Sequence, residues 1–227
     1  MSDLAHRAAE WMVAVLLSEP GPLAVALSGG STPKRLYELL VTPAFLHRVP
    51  WERIHWFWGD ERFVPQDDAR SNYRMTMEAM LRHAPVPAAQ IHPVPTQGRS
   101  PEDAAAAYQA ELQAFHGSAA LDGPPLFHLV LMGLGTNGHT ASLFPNTPVL
   151  EERTAWAAAV TPAGEPTRIT LTYPALESCR HAAFVVAGAD KRDVLARVRA
   201  GDETLPAARY HPTAALRWFT DAAAAGG

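Results

Sequence analysis

Only one cysteine, Cys179, occurs in 227 residues. That excludes an intramolecular disulfide and a cysteine-based zinc site, and it fits a reducing compartment, so a cytoplasmic location is expected. Lysine is almost as scarce: Lys34 and Lys191 stand alone among 19 basic residues, the rest being arginine. With alanine abundant, this reads as a coding bias toward Arg and Ala. Each surviving lysine then raises the question of whether its site needs an ammonium group. A basic excess is also missing. The formal charge is −4 and the arginines are scattered, which argues against a nucleic-acid platform. An anionic small ligand would have to be held by a local cluster. Long apolar runs are absent too. Near the start, Trp11 to Leu17 is the longest. Spanning a bilayer takes about 20 residues, and this run is far short of that. Asp3 and Glu10 before it and Ser18-Glu19-Pro20 after it do not suit a signal peptide. Leu4, Ala8, Trp11, Met12, Val15 and Leu16 recur at helical spacing, so an amphipathic first helix is expected instead.

What is present is alternation. Short apolar runs at Leu23–Leu27, Ile54–Trp58, Phe127–Met132, Ala157–Val160, Arg168–Thr172 and Ala182–Val186 read as strands. Helical patterns lie between them. Thr32 with Pro33 marks one helix start, Ser71 another before Asn72–Leu81, and Ser100 with Pro101-Glu102-Asp103 a third. A further helix is expected from about Ala189 to Ala200. The pattern implies α/β architecture: a mainly parallel, Rossmann-like, three-layer arrangement with helices on both faces of the sheet. At about 100–200 residues per domain, and with no linker or repeat, residues 1–227 are expected to form one domain. A monomer or weak homo-oligomer is expected.

In open α/β sheets, ligands sit beyond the carboxyl ends of the strands. Three loops qualify. Leu23–Leu27 runs into Ser28-Gly29-Gly30-Ser31-Thr32-Pro33, where glycines permit close approach and a helix start offers N–H groups to an anion. The ordinary alternative is a strand–helix turn with Thr32 as cap. Ser28 and Ser31, beyond what a cap requires, favour phosphate. The Walker spacing is absent. Trp58 is followed by Gly59-Asp60-Glu61-Arg62, three charges at the end of an apolar strand. Such charges are usually solvated, but this location favours at least one facing a cleft. Asp60 is a candidate cleft acid, and Arg62 can clamp an anion or hold a carboxylate. Asp60 and Glu61 point different ways and are not read as a carboxylate pair.

The third loop, Gly133-Leu-Gly135-Thr-Asn-Gly138, matches GxGxxG, with Glu151 and Glu152 further on. Pro145 cuts any helix there after two turns at most, and the acidic pair does not end a strand, so nicotinamide binding is disfavoured. His139 follows the glycines at a strand's carboxyl end, where an imidazole can act as a base near neutral pH. Amides of Gly133, Gly135 and Gly138 can supply an oxyanion site beside it. The other histidines are read as surface or packed residues. No HExxH occurs, which leaves a metal site with little support.

Together, Leu27-Ser-Gly-Gly-Ser-Thr-Pro33, Trp58-Gly-Asp-Glu-Arg62, Gly133-Leu-Gly-Thr-Asn-Gly-His-Thr-Ala-Ser-Leu-Phe-Pro145, Arg168-Ile-Thr-Leu-Thr172 and Gly188-Ala-Asp-Lys191 resemble the 6-phosphogluconolactonase family in order and spacing. The resemblance covers nearly the whole chain. That family shares its fold with the glucosamine-6-phosphate deaminases, which usually continue differently after Gly-His and carry Asp-Glu-Tyr where this chain has Asp-Glu-Arg. Both differences favour the lactonase. The resemblance implies hydrolysis of 6-phospho-D-glucono-1,5-lactone to 6-phosphogluconate in the pentose phosphate pathway, without metal or cofactor. It implies His139 as general base, Arg62 near the reacting centre, and Ser28, Gly29, Gly30, Ser31, Thr32, Arg168 and Lys191 around the 6-phosphate. At Asn137 the family most often carries Asp; Asn can orient the imidazole but cannot supply charge. The expected partner is a phosphosugar lactone, with neither nucleic acid nor membrane. The alternatives are an isomerase or deaminase acting on a 6-phosphosugar, a non-catalytic sugar-phosphate sensor of the same fold, and a nicotinamide-dependent dehydrogenase.

Overall fold

The computed structural model describes residues 2–226. The first helix, α1 (Ser2–Ser18), buries Leu4, Ala8, Met12, Val15 and Leu16 along one stripe, as the spacing predicts. Strand β1 (Leu23–Leu27) and helix α2 (Ser31–Leu40) follow. Next come β2 (Ile54–Trp58), β3 (Asp60–Arg62), α3 (Asn72–Ala79) and α4 (Pro101–His116). Then β4 (Phe127–Met132), β5 (Ala157–Val160), β6 (Arg168–Leu171) and α5 (Tyr173–Glu177) lead to β7 (Cys179–Val186). The described chain ends with α6 (Arg192–Arg199), β8 (Leu216–Thr220) and α7 (Ala222–Ala225).

The core is a five-stranded sheet in the order β2-β1-β4-β7-β8, parallel throughout. Every residue of β1 is buried, as expected of a strand covered on both faces. Helix α1 packs on α2, β7 and β8, whereas α4 packs on β5 and β6. Those two strands correct the expectation of a single sheet. With β3 they form a separate three-stranded antiparallel sheet, ordered β3-β6-β5.

The two sheets join at Gly59. Its N–H donates to Leu27 O in the parallel sheet at 2.8 Å, and its carbonyl accepts from the Leu171 N–H in the antiparallel one at 2.8 Å. Asp60-Glu61-Arg62 is therefore a strand, not a solvated loop, and alternation sends Asp60 and Glu61 to opposite faces. Strand β8, which the apolar pattern did not single out, is half exposed and carries Arg217.

Helix starts are decided by local chemistry. Ser71 and Ser100 accept from the N–H groups of Arg74 and Asp103, and each such cap is worth about 1 kcal/mol. At α2 the expectation of a Thr32 cap is corrected: the cap position is Gly30, at φ 105°, and no side chain caps the helix. Thr32 and Pro33 sit inside the first turn. Ser31 and Thr32 are thus not used as caps at the end of the helix that opens toward β1.

Two tyrosines fix where the strand-end loops begin. Tyr37 OH accepts from the Ser28 N–H at 3.0 Å and donates to Ser28 O at 2.8 Å. Tyr108 OH makes the same pair with Trp58, at 2.8 and 2.9 Å. Burial pushes both phenols far above their ordinary range, so each stays a neutral hydroxyl able to donate and accept.

Candidate active site

At the carboxyl ends of β1, β4 and β7 lies a cleft of about 260 Å³. Ser28, Gly29, Gly30, Ser31, Thr32, Asp60, Arg62, Gly133, Gly135, His139, Arg168 and Lys191 all line it. The three loops singled out from sequence converge there, joined by β6 and by the segment after β7. Of the candidate residues, Asn137 and Gly138 do not line the cleft.

Asn137 acts on it through His139. Its Oδ1 accepts from the His139 backbone N–H at 3.2 Å and lies 2.6 Å from His139 Nδ1. A backbone N–H can only donate, so the shared atom is the oxygen, and Nδ1 must carry the ring proton facing it. The neutral imidazole therefore keeps its lone pair on Nε2. Burial lowers the pKa of His139 to about 4; Asp60 opposes the shift, while Arg168 and Lys191 add to it. The shift favours the neutral ring, the form able to act as a base near neutral pH.

The imidazole stacks on Phe144, with centroids 4.3 Å apart and planes at 25°. Arg168 Cζ lies 5.1 Å from the same Phe144 ring, so Phe144 braces both the imidazole and a cation of the cleft.

Gly135 and Gly138 have a different role from the one expected. The Gly135 N–H donates to His139 O at 2.9 Å and the Gly138 N–H to Gly135 O at 3.0 Å. Both amides are committed within the loop and are not free for an oxyanion. The glycines serve shape instead. Gly138 has φ 80°, and a Cβ there would meet Leu205 at 2.8 Å. Among the described residues, no α-helix leads off from this loop. The chain turns through Ala141, at φ 48°, into a bridge between Thr140 and Leu143. That turn removes the helix a dinucleotide fingerprint requires.

Asp60 is buried and faces the cleft. Its Oδ2 accepts from Ser142 Oγ at 2.5 Å and lies 3.9 Å from an Arg168 guanidinium nitrogen. Glu61, on the other face, accepts from Ser71 Oγ and from the N–H groups of Arg62, Asn72 and Tyr73. Burial pushes its carboxyl upward against those donors. It anchors the start of α3 and takes no part in the cleft.

Sequence reasoning missed Asn72. Its amide donates to Asp60 O at 2.9 Å, and its Oδ1 would lie 2.1 Å from any Cβ on Gly29, which explains that glycine. The only local sign was a polar residue just after a cap. Ala141, Val185, Val186 and Ala187 also line the cleft, and their apolar side chains carry no such sign.

Among the described residues, no group of three or more His, Cys, Asp or Glu side chains is arranged to hold a metal ion. No helix there is long and apolar enough to cross a membrane. The donor set suits an anion: two guanidinium groups, an ammonium, hydroxyls and the start of α2. The Nε atoms of Arg62 and Arg168 are buried without a partner among the described residues.

Residues 1–218 match the family model described as glucosamine-6-phosphate isomerases/6-phosphogluconolactonase. The chain is 43% identical over 211 residues to a 6-phosphogluconolactonase of Nostoc sp., covering 92% of this chain and 85% of that protein. A 6-phosphogluconolactonase of Mycobacterium tuberculosis is 35% identical over 213 residues, covering 90% and 85%. The solved 6-phosphogluconolactonase of Trypanosoma cruzi superposes with a TM-score of 0.86 at 30% identity, covering 99% and 92% of the two chains. A monomeric glucosamine-6-phosphate deaminase, at 18% identity and a TM-score of 0.80, shares the fold, with 98% and 95% of the two chains covered. The chain belongs to the glucosamine-6-phosphate isomerase/6-phosphogluconolactonase family.

Proposed function

We propose that this protein hydrolyses 6-phospho-D-glucono-1,5-lactone to 6-phosphogluconate, the reaction named for its lactonase relatives. One observation carries the reading: an imidazole held neutral, with Nε2 as its free lone pair, shares a cleft with an anion-binding cluster. A lactone carbonyl is already electrophilic, so water needs a base but no covalent nucleophile.

In this mechanism Ser28 to Thr32, Arg168 and Lys191 hold the 6-phosphate. His139 Nε2 takes a proton as water adds to C1. The developing oxyanion is stabilised by Arg62, whose Nε is buried and unpaired among the described residues. As the C1–O5 bond breaks, the imidazolium returns the proton to O5, so the ring opens to a hydroxyl and a carboxylic acid, which then loses its proton to solvent as the carboxylate. Asp60 holds Arg168 from behind and favours the transient imidazolium. The same reading places the protein in the cytoplasm as a monomer or weak homo-oligomer. The buried Cys179 thiol, pushed up to about 11 by burial, stays protonated and unreactive.

The test is His139→Ala. Loss of a general base lowers kcat by about 10²–10⁴, while inorganic phosphate still binds. Near-normal kcat would remove His139 from the mechanism. Turnover of glucosamine 6-phosphate without lactone hydrolysis would transfer the protein to the isomerase branch.

A further inference from the structure

Arg168, the first residue of β6, is held from several sides. Its guanidinium lies against Phe144 and 3.9 Å from Asp60 Oδ2, and its side chain is only 9% exposed. The second terminal nitrogen donates to Glu165 Oε2 at 2.8 Å. Glu165 belongs to the turn 161–167 joining β5 to β6. Gly164, at φ 75°, reverses the chain there, and the hydroxyls of Thr161 and Thr167 meet at 2.9 Å across its base. The Glu165 side chain is 49% exposed, so it can leave Arg168 for water at little loss. Lys191 shows the same arrangement. Its Nζ lies 3.3 Å from Asp190 Oδ2, and the Asp190 side chain is 63% exposed. Both cations therefore carry an exposed carboxylate from their own loop, while the interior contacts of Arg168 stay in place.

We propose that Glu165 is a placeholder for the ligand's phosphate: it pairs with a terminal nitrogen of Arg168, is displaced from it when the anion enters, and recaptures Arg168 when the anion leaves. Its role is positioning and specificity, exerted through Arg168. The competition acts on every phosphate-bearing ligand of the cleft, product included. Ring opening converts a neutral ester into a carboxylate, so the product is one charge more anionic than the substrate in a cleft rich in cations. A competing internal carboxylate counteracts that retention. The identity of the product rests on the lactonase reading, whereas competition for phosphate does not.

Calorimetry with inorganic phosphate and with 6-phosphogluconate, on the unmodified protein, Glu165→Gln and Arg168→Gln, tests the proposal. Glu165→Gln is expected to bind both anions about two- to fivefold more tightly, the range open to an exposed ion pair. Product inhibition in the lactonase assay should tighten by the same factor. Damage to the turn would weaken binding, so a gain of affinity identifies competition. Unchanged or weaker phosphate binding in Glu165→Gln, with Arg168→Gln weakened, overturns the placeholder and leaves the phosphate site standing. Phosphate affinity unaffected by Arg168→Gln overturns both.

Discussion

The His139 ring lies directly over Gly135: a Cβ built on that glycine would be 2.1 Å from His139 Nδ1 and Cε1. The imidazole thus owes its place to a missing side chain below it, to Phe144 against its face and to Asn137 at its edge. Gly135→Ala forces the ring aside while leaving the anion contacts untouched. Displacing a catalytic group by about 1 Å can reduce the rate some 10²-fold. The expected result is a kcat loss of about that size with KM within about threefold. A parallel rise in KM, measured in the same steady-state assay, would mean that the loop as a whole had moved.

The His139 pKa of about 4 fixes the sign of the pH dependence. In the proposed mechanism His139 is active when unprotonated, so activity falls on the acid side, and kcat/KM reports the free enzyme. In the bound state the phosphate offsets Arg168 and Lys191, whose charges help to depress the imidazole. The acid limb of kcat should therefore lie at higher pH than the enzyme's limb in kcat/KM. Asn137→Asp places a carboxylate at the oxygen now 2.6 Å from Nδ1. That favours the imidazolium and moves both limbs upward. Comparing the two proteins at one substrate cancels the phosphate's own ionisation. Superimposable profiles would show that position 137 does not act on the ring.

The same group shapes stability. An ordinary histidine takes up a proton near 6.5, whereas folded His139 does so near 4. Between those values the unfolded chain binds more protons, so the contribution is fully present above about 6.5 and is lost as pH falls toward 4. His139→Gln should therefore show a smaller drop in melting temperature between pH 7 and pH 5 than the unmodified protein. An equal drop in both would assign the acid sensitivity elsewhere.

Tyr37 offers a test of the scaffold alone. Removing its hydroxyl strands the buried N–H and carbonyl of Ser28, and a stranded buried group typically costs about 1–3 kcal/mol. For a chain of this size that corresponds to a fall in melting temperature of roughly 2–12 °C for Tyr37→Phe. KM should rise as well, because Ser28 opens the anion loop. An unchanged melting temperature would mean that water replaces the phenol.

The sequence made much of this legible, for identifiable reasons. Parallel strands buried on both faces are continuous apolar runs, so β1, β2 and β4 stood out with their observed limits. Glycines and hydroxyls at strand ends pointed to the cleft because backbone approach to an anion leaves that local mark. What stayed hidden depends on long-range pairing. Asp60 to Arg62 looks like a charged loop until β6 supplies its partner, and β8 is half exposed with weak alternation. Asn72 is far from Gly29 in sequence yet touches it, and no local pattern encodes that contact. The oxyanion role expected of Gly135 and Gly138 failed because their amides bond within the loop itself.

The two lysines can be separated by experiment. Lys34 is 48% exposed and 3.7 Å from Glu38. Glu38 stands one turn further along α2, an arrangement that arginine reproduces. Lys34→Arg should change neither KM nor melting temperature measurably. Lys191 is 21% exposed, lines the cleft and sits where the chain leaves β7 through Gly188, at φ 105°. An ammonium makes a compact point contact with a phosphate oxygen, whereas a planar guanidinium needs more room and a fixed orientation. Lys191→Arg keeps the charge yet should raise KM for the phosphorylated lactone several-fold, with kcat within about twofold, because the 6-phosphate is remote from the bond that breaks. A KM as insensitive as that of Lys34→Arg would remove Lys191 from the phosphate contacts and leave Arg168 and the start of α2 to hold the anion.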